Sequence, residues 1–158
     1  MDKICTFLWF DKEAEEAAEL YTSLFKDSEV VSKSHYSEGV SGTEPGSVMT
    51  VNFRLAGRDF IALNAGPEFK FSEAISLYVN CEDQAEVDRL WDAFLTSGAE
   101  ESVCGWLKDR YGLSWQIIPE QLPNLVGGPD PAGSKRATEA MLQMKKIDLE
   151  ALERAYKG

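Results

Sequence analysis

Histidine is almost missing: His35 is the only one in 158 residues. A centre built on several imidazoles is therefore excluded. A Ser/His/Asp arrangement would depend on His35 alone, and no serine stands in a nucleophile-elbow motif. Basic residues are also scarce, 16 against 27 acidic ones, for a formal charge of -11. A surface of that sign repels phosphate backbones, so no nucleic acid is expected as partner. Cys5, Cys81 and Cys104 are an odd number without CxxC spacing, which excludes a disulfide framework and a zinc knuckle. They read as thiols in a reducing cytoplasm. No apolar run approaches membrane-spanning length, so no membrane is expected. The start, "MDKICTFLWF", is too short in apolar residues for a signal peptide and has no small-residue cleavage site; the expectation is a cytoplasmic protein.

What is present suits a packed interior: 44% hydrophobic and 11% aromatic residues. "ICTFLWF" (4–10) is β-branched and aromatic, a strand. "DKEAEEAAELYTSLF" (11–25) carries Ala14, Ala17, Ala18, Tyr21, Leu24 and Phe25 at helical spacing, with Asp11 as N-cap. "SEVVSKSHY" (28–36) is a strand that places His35 at a sheet edge. A Gly/Ser/Pro-rich loop (37–47) follows. "VMTVNFRLAGRDFIALNAG" (48–66) is a hairpin turning at Ala56-Gly57-Arg58.

The second half begins alike. "AISLYVNC" (74–81) alternates as a strand. "EDQAEVDRLWDAFLTSG" (82–98) is a helix closed by Gly98. "AEESVCGWL" and "GLSWQII" are two further strands joined by the polar turn 108–112. The order β-α-β-β thus recurs, an internal repeat of supersecondary structure. "NAGPEFKFSE" (64–73) joins the halves, with Phe69 and Phe71 to pin it. Two short helices, 131–145 and 148–156, end the chain; Met141, Met144, Ile147 and Leu152 need the body of the domain or a partner subunit to cover. The expectation is one domain over 1–158: module one about 1–66, module two about 74–118 and a helical tail about 119–158.

Paired modules of this kind resemble the vicinal oxygen chelate superfamily, which includes glyoxalase I, extradiol dioxygenases and bleomycin-resistance proteins. "FLWFDKEAEEAAELYTSLF", "FIALNAGPEFKFSEAISLYVNCEDQAEVDRLW", "CGWLKDRYGLSWQIIP" and "AMLQMKKIDLEALERAY" are similar to its PhnB-like subfamily, often labelled 3-demethylubiquinone-9 3-methyltransferase. The resemblance implies an α+β fold of paired βαβββ modules, each a cupped mixed sheet, and a homodimer. The fold by itself does not set the chemistry.

Metal-using relatives hold one divalent ion with four inward side chains. Those positions fall here on Cys5 (or Thr6, if the register slips by one), Asn64, Ala74 and Gln116. Alanine cannot ligate, and the amides have no histidine or carboxylate beside them. No metal or other cofactor is expected; a divalent metal is the lesser alternative. The methyltransferase label lacks support too. A nucleotide-type cofactor needs a glycine-rich turn after the first strand, and "FLWFDKEAEEA" has no glycine. Gly127-Gly128 follow no strand.

A pocket remains. With Cys5 inward, Phe7 and Trp9 also face inward; Phe60 and Ala62 are expected beside Asn64, Ser76 and Tyr78 beside Ala74, and Ser114 beside Gln116. Aromatic walls with a few amides and hydroxyls suit an uncharged or aromatic small molecule. The plainer reading is that these aromatics fill the core. Trp106, Lys108 and Arg110 are placed to cover the mouth, and 37–47 to act as a lid. The expected function is small-molecule binding without a conventional metal site. The alternatives are a glyoxalase- or dioxygenase-type lyase, isomerase or oxygenase, or a drug-sequestering resistance protein.

Overall fold

A computed structural model describes residues 2–158. The chain divides into two compact units, one ending at Phe71 and the other Ser72–Gly158. In the first, β1 (Thr6–Phe10) leads to α1 (Ala14–Leu24), then β2 (Glu29–His35), β3 (Val48–Leu55) and β4 (Arg58–Asn64). The sheet order is β1-β4-β3-β2, with β1 parallel to β4 and the other pairs antiparallel. The β3–β4 turn is made by Ala56 and Gly57, both at positive φ (45° and 79°), the conformation a two-residue hairpin needs.

One face of this sheet is covered by α1. Ala14, Ala17, Ala18, Tyr21 and Leu24 of the helix are buried, and the Tyr21 and Phe53 rings lie 6.4 Å apart. The register places Phe53 beside Phe60, and Phe60 beside Thr6. Leu8, Phe10, Val51 and Ala62 follow by alternation on that covered face, and all are buried. Asp11 does not cap α1. The cap arrives from β4: Asn64 Oδ1 accepts the Ala14 N–H at 2.8 Å, and its Nδ2 donates to the Val48 carbonyl at 3.1 Å.

The second unit runs β5 (Ser76–Cys81), α2 (Gln84–Thr96), β6 (Glu100–Glu101), β7 (Trp106–Lys108), β8 (Ser114–Pro119), α3 (Leu122–Val126), α4 (Pro131–Met141) and α5 (Leu149–Lys157). Its sheet order is β5-β8-β7-β6, with β5 parallel to β8. The strand expected over 99–107 is broken: Cys104 and Gly105 are both left-handed, φ 56° and 82°, which no extended strand allows. α2 is capped by Asp83, whose Oδ1 accepts the Glu86 N–H, and it buries Val87, Leu90, Trp91 and Phe94.

The tail folds onto its own unit. Ile118, Leu122, Ile147 and Leu152 form a buried cluster, with Leu125, Val126, Met141 and Met144 packed against it. Two backbone bonds join it to the broken strand, Cys104 N–H to the Met144 carbonyl and Gly105 N–H to the Lys145 carbonyl. The Gln84 side chain of α2 bonds the backbone of Ile147 and Leu149. Among the described residues no helix is long and apolar enough to cross a membrane.

Candidate functional site

The expected pocket residues divide between sheet faces in a way the sequence reading got partly wrong. β1 pairs with β4 so that Phe7 lies beside Ile61, and Trp9 beside Leu63. Phe7 and Trp9 thus lie on the face away from α1, where Phe7 is 55% exposed. Cys5, just before the strand, is half-buried. Phe60 and Asn64 register with Thr6 and Phe10, so they lie on the opposite, helix-covered face. Phe60 stacks on Phe53 at 5.3 Å, and both ends of the Asn64 amide are engaged, Oδ1 in capping α1 and Nδ2 on the Val48 carbonyl of β3. These two residues are structural. Trp9 is also engaged locally: its indole N–H donates to the Gly66 carbonyl at 2.9 Å, and its ring meets the edge of Phe69 at 4.9 Å. The loop 37–47 borders a groove against Asp11, Glu15 and Glu19 of the helix side, so the expected lid does not lie over the open face. His35 is exposed at the end of β2.

The second unit assembles its expected residues on one face. Trp115 packs on Phe94 of α2 at 4.9 Å, and Leu77 and Leu107 flank it in register. Alternation turns their neighbours the other way, in two rungs. Lys108, Ser114 and Ser76 stand side by side across β7, β8 and β5; Trp106, Gln116 and Tyr78 form the next rung. Gln116 Nε2 donates to Ser76 Oγ at 2.9 Å. Tyr78 is 53% exposed, and burial of part of its ring holds the phenol above its ordinary pKa.

A cavity of about 190 Å³ opens at this face, lined by Glu73, Glu100, Ser102, Trp106, Lys108 and Ser114 among others. Lys108 and Glu73 form an ion pair across it. The bond to Lys108 holds the Glu73 carboxyl below its ordinary range, and the same bond holds the Lys108 ammonium above its own. Ser114 is only 2% exposed, and no hydrogen-bond partner for its hydroxyl is present among the described residues. The four tryptophans differ in the same respect. The indoles of Trp9, Trp91 and Trp115 donate to Gly66, Glu101 and Asp109 respectively; Trp106 has no such partner among the described residues. Sequence reading placed Trp106 and Lys108 at the mouth. Their alternation with Leu107, had β7 been paired to β8 in the right register, would have put them in the wall.

Asp109 was missed. It is 4% exposed and accepts from the Tyr111 N–H, the Leu113 N–H and the Trp115 indole at 2.9, 3.0 and 3.0 Å. It shapes the β7–β8 turn, which sets Lys108 opposite Ser114. Lys108 and Trp106, on one strand, therefore depend on a buried carboxylate that the sequence presents as an ordinary polar turn residue.

A divalent ion does not fit the residues present. Asn64 faces the other side of its sheet with both amide ends bonded, Ala74 has no donor atom, and Gln116 is flanked in register by Trp106 and Tyr78, with no imidazole or carboxylate beside its Oε1. The β4 residue that shares a face with Trp9 is Leu63. Among the described residues no three His, Cys, Asp or Glu side chains gather closely enough to hold a metal.

The family model described as 3-demethylubiquinone-9 3-methyltransferase matches residues 2–118. A solved PhnB protein of Bacillus cereus under the same methyltransferase description is 38% identical; the match covers 75% of this chain and 99% of that one, with a TM-score of 0.67. A Pseudomonas aeruginosa protein, 17% identical over 76% of this chain and 98% of that one, shares the fold with a TM-score of 0.63. No curated protein matches. The family match ends within β8, so α3, α4 and α5 lie beyond it. With a family model matched over most of its length and 38% identity to the B. cereus PhnB protein, the chain belongs to the 3-demethylubiquinone-9 3-methyltransferase family.

Proposed function

We propose that the protein binds a small organic molecule on the face of its second sheet that points away from α2, at the two rungs Lys108–Ser114–Ser76 and Trp106–Gln116–Tyr78. The observation that carries this reading is the pair of unused polar groups there. Ser114 is buried as a residue, yet its hydroxyl oxygen is not sealed off: among the described residues the buried side-chain oxygen or nitrogen left without a partner is Gln121 Oε1, so the unpartnered Ser114 hydroxyl keeps contact with the cavity it lines. At a site awaiting a ligand the same group confers specificity. Trp106 and Tyr78 supply flat apolar surface on either side of the Gln116 amide, suited to stacking a planar group. Phe7 and Trp9 offer a second aromatic surface on the first unit, but every polar group named there is engaged within the protein.

Methyl transfer from a nucleotide-type donor is not supported. Such a cofactor needs close backbone approach at the turn after the first strand. Here that turn is Asp11-Lys12-Glu13, and the Ala14 N–H at the start of α1 is taken by Asn64. Gly128 does not supply the missing turn either: a Cβ there would lie 2.3 Å from the Asn124 carbonyl and 2.7 Å from the Tyr156 hydroxyl, so its lack of a side chain serves packing of the tail.

A thermal-shift screen of small aromatic and polar compounds tests the proposal, since a ligand that binds only the folded state raises the midpoint. Hits should lose most of their shift in Trp106→Ala and keep it in Trp9→Ala. Hits that respond to Trp9→Ala and ignore Trp106→Ala would move the site to the first unit and defeat the reading.

A further inference from the structure

The charges around the 190 Å³ cavity are unequal in a way that bears on what it takes. Lys108 is already neutralised by Glu73. Glu100, paired in register with Lys108 across β6 and β7, makes no ion pair of its own among the described residues. Its carboxylate also acts on the Lys108 ammonium, so one cation serves two carboxylates and this part of the wall keeps a net negative charge. An anionic ligand would have to displace Glu73 from Lys108 and then lie close to both carboxylates. A cation meets no such conflict. It also gains from the face of Trp106, because an indole ring attracts ammonium groups, and from the field of a protein with net charge -11.

The two unused polar groups fix the rest of the ligand. Ser114 hydroxyl can donate or accept, and the Trp106 indole can only donate. A neutral oxygen on the ligand would answer both. The volume limits size: at about 30 Å³ per water molecule, the cavity holds roughly six, less than drug-sized pockets.

We infer that this site selects small primary amines bearing a neutral oxygen, of the short amino-alcohol class, with the ammonium against Glu100 and Trp106 and the oxygen against Ser114. The inference rests on the proposed binding role of this face and departs from the uncharged ligand that the sequence alone suggested. No bond is made or broken in the step.

Ethanolamine, ethylene glycol, propylamine and acetate are suitable probes, followed by the indole N–H resonance of Trp106, assigned through Trp106→Phe. Ethanolamine should shift it at the lowest concentration. Propylamine, lacking the oxygen, and ethylene glycol, lacking the charge, should each need about tenfold more. Acetate should have no effect. Glu100→Gln, on an exposed edge strand, should weaken ethanolamine about tenfold and leave ethylene glycol unchanged; Ser114→Ala should bring ethanolamine down to the level of propylamine. If glycol or acetate binds as well as the amines, or Glu100→Gln changes nothing, the amine assignment is wrong while binding on this face stands. If neither these probes nor any thermal-shift hit moves the Trp106 resonance, both the inference and the binding role fall.

Discussion

Removing the Asp109 carboxylate should show how much of the site's frame rests on one side chain. Among the donors its oxygens accept, two belong to residues almost wholly buried: Leu113 at 1% and Trp115 at 2% exposure. The Tyr111 N–H is only half-buried and can turn to water. Asp109→Ala therefore strands two buried N–H groups, and at about 1–3 kcal/mol for each unsatisfied group the loss should be about 2–6 kcal/mol. Asp109→Asn keeps one oxygen for the two backbone donors but turns an NH₂ toward the Trp115 indole, donor against donor. That variant should lose about 1–3 kcal/mol, the worth of one bond to a buried group. Urea unfolding followed by tryptophan fluorescence measures both, provided the slopes match the wild type. An Asp109→Ala variant within about 0.5 kcal/mol of wild type, the range of ordinary surface substitutions, would refute the argument and return Asp109 to the solvated turn its sequence context suggests.

Other outcomes follow from the same geometry. Asn64→Ala should cost about 1–2 kcal/mol through the lost cap of α1 and leave ligand affinity unchanged; a loss of binding without a loss of stability would put Asn64 back in the site. Burial first, and the nearby Glu86 carboxylate second, push the Cys81 thiol up to about 12, so alkylation at pH 8 should spare Cys81 until the protein unfolds, and mass mapping of early Cys81 label would contradict its placement. Asp88 is held below its ordinary range by Lys146 and then Gln84, and Lys146 is held above its own by Asp88. The contribution of this pair is present above the unfolded aspartate pKa and below the unfolded lysine pKa. It fades as pH falls through the lowered Asp88 value or rises through the raised Lys146 value. The melting difference between wild type and Asp88→Asn should be small, since both groups are solvent-screened, and should shrink at both ends; a difference that grows in acid would have the sign wrong. Ile4, Phe7 and Ile75 are exposed apolar groups outside the proposed ligand site, for which a homodimer is the proposed cover, and sedimentation giving a monomer at micromolar protein would contradict it.

The fold was legible because its signals are local. Alternation in "ISLYVNC" and the 3.6-residue spacing of Val87, Leu90, Trp91 and Phe94 each report a face directly, and the repeat of strand, helix and strands gave the paired modules. The site was legible only where faces were set within one strand, as for Ser76 with Tyr78 and Ser114 with Gln116. Joining faces across strands needs the pairing register. β4 was read one residue out relative to β1, which turned Phe60 and Asn64 from core into pocket. The break at Cys104-Gly105 was hidden because its cause is distant. A Cβ on Gly105 would lie 2.6 Å from Ile118 Cδ1 and 3.0 Å from Ile147 Cγ1, and only the folded tail brings Ile147 there. α3 escaped notice for a simpler reason: Leu122–Val126 is five residues long and begins beside Pro123, too short to show a period.

The account stands most directly on where a ligand lies. A crystal structure of the protein with the strongest thermal-shift hit should show density on the face of the second sheet that points away from α2, within hydrogen-bond distance of Ser114 Oγ and in contact with the Trp106 ring, with the Gln116–Ser76 bond kept. Density for that hit in the groove beside α1, or on the Phe7–Trp9 surface with the Ser114 hydroxyl still unpartnered, would contradict it.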